Sequence, residues 1–187
     1  DAFLAAFDVK TGKELWRTFT VPAPGEPGSE TWPKGDQWKT GGAPVWVTGN
    51  YDPETNLAYW GTGNGGPWMG DQRPGDNLYT ASTVAVDVRT GGIRGHFQYH
   101  PNDSWDWDEV SPPILVDYQR DGRTVKGLIN VARNGYLWFL GRRDDIAVEG
   151  EEARVAQVAG IGQRHAEARR RSRRDTRLNA KLRPGQR

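Results

Sequence analysis

The 187-residue sequence has no cysteine, one methionine and three histidines. Without cysteine this piece can hold no disulfide scaffold, and its redox compartment is left open. No apolar run is long enough to span a membrane. There is no initiating methionine and no signal peptide. The opening Asp1-Ala2-Phe3-Leu4 enters mid-pattern, as expected of a piece cut from something longer. Aliphatic residues are few, whereas Trp (nine) and Gly (24) are many. That balance points to an all-β protein with many turns rather than a helical one.

Aromatic residues are missing from one region. Every Trp, Tyr and Phe lies before residue 141. Residues 141–187 instead hold thirteen Lys and Arg against seven Asp and Glu, a net of +6 that leaves 1–140 at −5. The chain therefore divides into an aromatic-rich part, 1–140, and a basic, low-aromatic tail, 141–187. Residues 151–174 have helical composition, but Gly160 and Gly162 interrupt it. Val155, Val158 and Ile161 make only a thin apolar stripe. A shifted reading frame is the favoured reading of this tail, ahead of a solvated, disordered segment. The run Arg169-Arg170-Arg171-Ser172-Arg173-Arg174 has no aromatic or recognisable module beside it, so no nucleic-acid partner is expected.

The first part reads as short strands and turns. Residues 3–7 and 14–19 form a hairpin around Asp8-Val9-Lys10-Thr11-Gly12-Lys13. Gly12 supplies the positive φ of a tight turn, and Asp8 can accept hydrogen bonds from the turn backbone. Trp16, four residues on, is placed to pack on a neighbouring sheet. Ala85-Val86-Asp87-Val88-Arg89-Thr90-Gly91 repeats Ala6-Phe7-Asp8-Val9-Lys10-Thr11-Gly12, although Gly95 stands where Trp16 stands in the first copy. Further strands are expected over 44–48, 57–62, 114–118, 124–131 and 136–140, with turns at Asp52-Pro53-Glu54-Thr55-Asn56, Asp121-Gly122 and Arg133-Asn134-Gly135. About nine such strands suit a β-propeller of four-stranded blades, with a sandwich as the alternative.

Three segments do not fit plain strand or turn. Residues 20–43 make a long loop rich in Pro, Gly and Trp, and loops of that length in a compact β domain are usually functional. Gly61-Thr62-Gly63-Asn64-Gly65-Gly66-Pro67-Trp68 has glycines that let backbone approach something closely. Pro101-Asn102-Asp103-Ser104-Trp105-Asp106-Trp107-Asp108-Glu109-Val110 sets four acidic residues within seven positions, interleaved with two tryptophans. Clustered carboxylates repel unless a cation or proton neutralises them. On an extended segment Asp106 and Asp108, at i and i+2, project the same way. Such oxygens suit a hard cation, and a carboxylate beside a metal can act as a general base. A solvated acidic loop is the plainer alternative.

With these landmarks in order, residues 1–140 resemble an internal piece of the pyrroloquinoline quinone (PQQ) dependent alcohol dehydrogenases, the methanol and ethanol dehydrogenase group. The matching residues are the repeat from Ala6 to Trp16, Gly41-Gly42 leading to Trp46, and Tyr51-Asp52-Pro53. They continue through Tyr59-Trp60-Gly61-Thr62-Gly63-Asn64, Pro67-Trp68, Arg73-Pro74-Gly75-Asp76-Asn77, Asn102-Asp103-Ser104-Trp105-Asp106 and Arg133-Asn134-Gly135. The resemblance implies an all-β fold, a fragment of about two to three four-stranded blades of an eight-bladed propeller with the quinone in its central channel. Trp46 matches the tryptophan that stacks on the quinone, and Arg133 the arginine that hydrogen-bonds its carbonyls. Asn64 matches a metal ligand, and Asp106 the catalytic aspartate beside the metal. Asp108 matches the extra aspartate of lanthanide-dependent members, so a lanthanide ion is expected, with calcium as the alternative.

The implied reaction oxidises a primary alcohol to an aldehyde. The metal acts as Lewis acid on the quinone, Asp106 as general base, and hydride passes from the alcohol carbon to the quinone. By the same resemblance the partners are a small alcohol substrate and a cytochrome c electron acceptor, the location is the periplasm, and the full-length protein is a homodimer. Gly65 departs from the family's usual proline. The adjacent-cysteine disulfide and a glutamate metal ligand are expected upstream of Asp1, so the piece alone is expected to be inactive. A non-catalytic propeller-repeat scaffold is the alternative function.

Overall fold

The computed structural model describes residues 2–120 and 122–142, together with the backbone of 149–157. The described residues form ten β-strands and three short 3-10 turns, with no α-helix. Among them no helix is long and apolar enough to cross a membrane. The strands group into three antiparallel sheets. β1 (Phe3–Phe7) and β2 (Glu14–Phe19) form a hairpin. β3 (Asn50–Asp52), β4 (Leu57–Gly61), β5 (Ser82–Asp87) and β6 (Ile93–Gln98) follow in spatial order. β7 (Ile114–Arg120), β8 (Arg123–Val131), β9 (Tyr136–Gly141) and β10 (Glu149–Gln157) make the third sheet, also in sequence order.

Period-2 alternation explains how the middle sheet is buried on both sides. Leu57, Tyr59 and Ala85 point to one face, where Leu128, Leu140, Trp138 and Leu115 of the third sheet meet them. Trp60, Val84 and Val86 point to the other, against Leu4 and Trp16 of the hairpin. β5 therefore reads as a nearly unbroken apolar run, Thr83-Val84-Ala85-Val86, because neither of its faces is exposed. The sheets stack like successive propeller blades, four-stranded where complete.

The repeated turn does what its residues predict. Gly12 has φ +70° and Gly91 φ +77°. Asp8 Oδ1 accepts the backbone N–H of Lys10 and Thr11, and Asp87 Oδ1 those of Arg89 and Thr90. The first unit docks on the second: the Trp16 indole N–H donates to Val88 O at 2.9 Å, and its ring lies where a Gly91 side chain would be.

Two local expectations are corrected. Residues 44–48 form no strand. The segment enters from a loop contact, Ala43 N to Asn64 O, and Pro44 O accepts Gly63 N, so it is drawn to the glycine loop and the strand begins instead at Asn50. The helical composition from residue 151 is not realised over Glu149–Gln157, whose backbone is extended and pairs with β9. Residues 158–187, including Gly160, Gly162 and the arginine run, lie outside the described residues.

Candidate quinone and metal site

The glycine-rich loop after β4 lies against the loop that precedes β3. Gly42 and Gly65 bridge, and Gly66 N donates to Gly41 O at 2.8 Å. A Cβ on Gly42, which has φ +86°, would sit 2.6 Å from Asn64 O, so no other residue fits there. Gly65 stands against the Arg73 guanidinium. The departure from proline at this position thus leaves room for an arginine.

That arginine is fully buried and ties the loops together. Arg73 Nε donates to Pro67 O at 2.7 Å, Nη1 to Asn77 Oδ1 at 2.6 Å and Nη2 to Trp68 O at 3.0 Å, with a further bond to Asp103 O. Burial pushes its guanidinium down from the usual arginine range, against the opposing pull of Asp103. Asp103 in turn accepts Trp105 N and Trp107 N, and shapes the acidic loop from within.

Four of the five predicted site residues fall along one line of contacts. A Cβ on Gly63 would meet the Trp46 ring at 2.7 Å and Asp108 Oδ1 at 2.8 Å. Asp108 Oδ1 accepts the Asn64 backbone N–H at 3.0 Å. The next residue, Glu109, is buried and its Oε1 accepts the Arg133 backbone N–H at 2.7 Å. Asp106 stands on the same loop and is exposed, and no residue among those described bonds its carboxylate. It has φ +59°, so the segment is kinked there rather than regularly extended. The expected parallel projection of Asp106 and Asp108 from a flat strand does not hold, because the alternation breaks at that residue.

The residues fit the groups that the resemblance implies. Trp46 is 57% exposed, an aromatic face open to a flat ring. Asn64, Asp106 and Asp108 offer only oxygen donors, the chemistry of a hard cation. Asn64 Nδ2 turns to Gly65 O, which leaves its amide oxygen available. Among the described residues no three His, Cys, Asp or Glu side chains converge in a metal-holding group; this donor set is two carboxylates and one amide. Arg73, Asp103, His100 and Glu109 were not among the expected site residues; Arg73 and Asp103 stand inside the matched motifs, and Glu109 inside the acidic stretch.

Comparison with known proteins places the chain in a family. The family profile described as "PQQ: Glucose/ethanol/alcohol dehydrogenase, beta-propeller domain" matches residues 2–184. "Quinoprotein alcohol dehydrogenase PedH" of Pseudomonas putida is 48% identical over 164 residues, covering 79% of this chain and 27% of that protein. "Methanol dehydrogenase [cytochrome c] subunit 1" of Methylorubrum extorquens is 36% identical over 169 residues, covering 80% of this chain and 27% of the relative. The solved structure of a "Europium-containing methanol dehydrogenase" superposes with a TM-score of 0.70 at 34% identity, over 79% of this chain and 29% of its own. The chain thus spans little more than a quarter of the length of these relatives. Stacked four-stranded sheets and docked turns find their common explanation in that profile: the chain belongs to the PQQ-dependent glucose/ethanol/alcohol dehydrogenase β-propeller family.

Proposed function

We propose that this chain supplies part of the active site of a PQQ-dependent alcohol dehydrogenase that oxidises a primary alcohol to an aldehyde. The observation that carries the reading is the meeting of Trp46, Gly63, Asn64 and Asp108 at one point of the fold. A propeller that served only as a scaffold has no need of an exposed tryptophan beside paired oxygen donors.

In this reading Trp46 and Arg133 hold the quinone, and Asn64, Asp106 and Asp108 hold the metal. When bound, the quinone supplies a two-electron acceptor and the cation a Lewis acid. Asp106 takes the alcohol hydroxyl proton at its carboxylate, for which its exposed position leaves it accessible. Asp108 adds a second negative charge to the donor set, which favours a trivalent lanthanide over calcium. The name of a europium-containing relative supports that preference. Electrons leave to a cytochrome c in the periplasm, a step in keeping with the name of the methanol dehydrogenase relative. A homodimer is the proposed assembly of the full-length protein.

The test is alcohol-dependent dye reduction by the intact enzyme reconstituted with PQQ and either lanthanum or calcium. Lanthanum should support turnover, and Asp108→Ala should remove the lanthanum activity tenfold or more. Equal activity with both cations and in the variant would refute the lanthanide assignment. Turnover without any quinone would refute the family reaction itself.

A further inference from the structure

Beneath the acidic loop lies a buried pair to which no role has yet been given. His100 and Glu109 are each about 2% exposed, and His100 Nε2 lies 2.5 Å from Glu109 Oε1. His100 follows β6 and stacks edge-on against Trp107, with ring centroids 4.9 Å apart. Glu109 ends the acidic loop. Its backbone N–H donates to Thr62 O at 3.2 Å, and its carbonyl lies against Gly61, where no side chain would fit. Its carboxylate reaches across to the β8–β9 turn, where Oε1 accepts Arg133 N at 2.7 Å and Oε2 faces Asn130 Nδ2 at 3.5 Å.

A carboxylate out of water is costly unless its lone pairs are met. Here they are met by groups from two different sheets. His100 Nδ1 has no partner, so the tautomer with the proton on Nε2, donated to Glu109, fits the site. His100 fixes the carboxylate from behind, and the carboxylate fixes the turn in front. The turn carries Arg133, and the residue before Glu109 is Asp108.

We propose that Glu109, oriented by His100, is a positioning residue of the quinone site: its carboxylate fixes the backbone of Arg133 and so aims the Arg133 guanidinium at the quinone. The inference rests on the reading of Arg133 and Trp46 as quinone-holding residues. Glu109 itself touches no reacting atom. Its effect reaches the quinone only through the turn it holds.

The test measures PQQ binding to the intact apoprotein by equilibrium dialysis in saturating calcium, without any turnover. Trp46→Ala and Arg133→Ala establish the underlying reading. If neither weakens PQQ binding, the quinone site is wrongly located and the proposal falls with it. If both weaken it, Glu109 is tested by itself. Glu109→Ala should weaken binding about tenfold in the wild-type background, the usual size for a residue supporting a ligand-holding one. In the Arg133→Ala background the same change should cost less than about twofold, because the side chain it aims is gone. A merely structural Glu109 would cost the same in both backgrounds, and that result overturns the proposal, as does no loss in either. Glu109→Gln keeps an oxygen acceptor for Arg133 N–H and should fall between the two. If the alanine variant does not fold, the same comparison is made with glutamine, where an equal loss in both backgrounds is again the refuting result.

Discussion

Gly63 lies between a tryptophan and a carboxylate, with no room for even one methyl group. A Cβ there would stand 2.7 Å from the Trp46 ring and 2.8 Å from Asp108 Oδ1. Gly63→Ala should therefore displace one of them, at a cost of about 1–3 kcal/mol for the overpacking. Denaturant titration of the intact protein would read that cost, and PQQ binding should weaken in parallel. His96 offers a second prediction at this scale. It packs edge-on against Tyr79 at 4.8 Å, and burial pushes its imidazole below the ordinary histidine range. In the window between its depressed folded value and the ordinary 6.5, the unfolded chain binds the proton that the folded chain refuses. Its contribution to stability is thus complete above that window and is lost as pH falls through it. His96→Gln should flatten the fall in thermal midpoint between pH 7 and about pH 5 relative to wild type. An unchanged slope would show that His96 does not titrate in this way.

Among the elements, the hairpins were more legible than the long loops. Residues 3–7 and 14–19 flank a turn marked by Asp8 and Gly12, and they coincide with β1 and β2. Residues 44–48 look like a strand by composition, but Pro44 O at their start accepts Gly63 N of the glycine loop, a partner distant in sequence. For the candidate site, Trp46, Asn64 and Arg133 were singled out because each stands in an ordered motif, and Asp108 because it lies in the acidic stretch. The buried bonds of Arg73 and Glu109 were not legible, although both stand in quoted stretches, because their partners, Asp103 O and Arg133 N, come from other loops. The kink at Asp106 was likewise invisible to a rule of alternation. At this scale the hairpin's attachment can be tested. Trp16→Ala removes a half-buried indole and its bond to Val88 O. The expected loss is about 2–3 kcal/mol, below the cost of truncating a fully buried tryptophan. Gly91→Ala drives a Cβ into the same ring at φ +77°, so beside Trp16→Ala it should cost less than alone but keep its backbone strain in a double-mutant cycle.

Across the whole molecule the second and third sheets are joined by charge as well as by apolar packing. Arg142, almost fully buried after β9, lies 3.1 Å from Asp52 Oδ2 in β3 and 3.2 Å from Asp117 Oδ1 in β7. The contact to Asp52 has ion-pair distance without the alignment of a hydrogen bond from Nε. Removing one partner of such a pair leaves the other charge stranded. Arg142→Ala should cost about 3 kcal/mol, and the Asp52→Asn, Arg142→Ala double variant less than the sum of its parts. Thermal unfolding of the intact protein at constant pH would check both figures. A cost within experimental error of zero would mean that Arg142 adds nothing to the apolar cluster around Tyr59, Leu128 and Leu140 in holding the sheets together.

The docking of Trp16 on Gly91 has an arrow. The earlier unit gives the ring, and the later unit offers the bare glycine that receives it. Gly95 stands where a matching ring of the later unit would be. Like overlapping roof tiles, units joined in this way have a laid direction. Exchanging the two in the chain would take the Trp16 ring away from the bare glycine that seats it, so the order of the units in the sequence is built into how they meet in space.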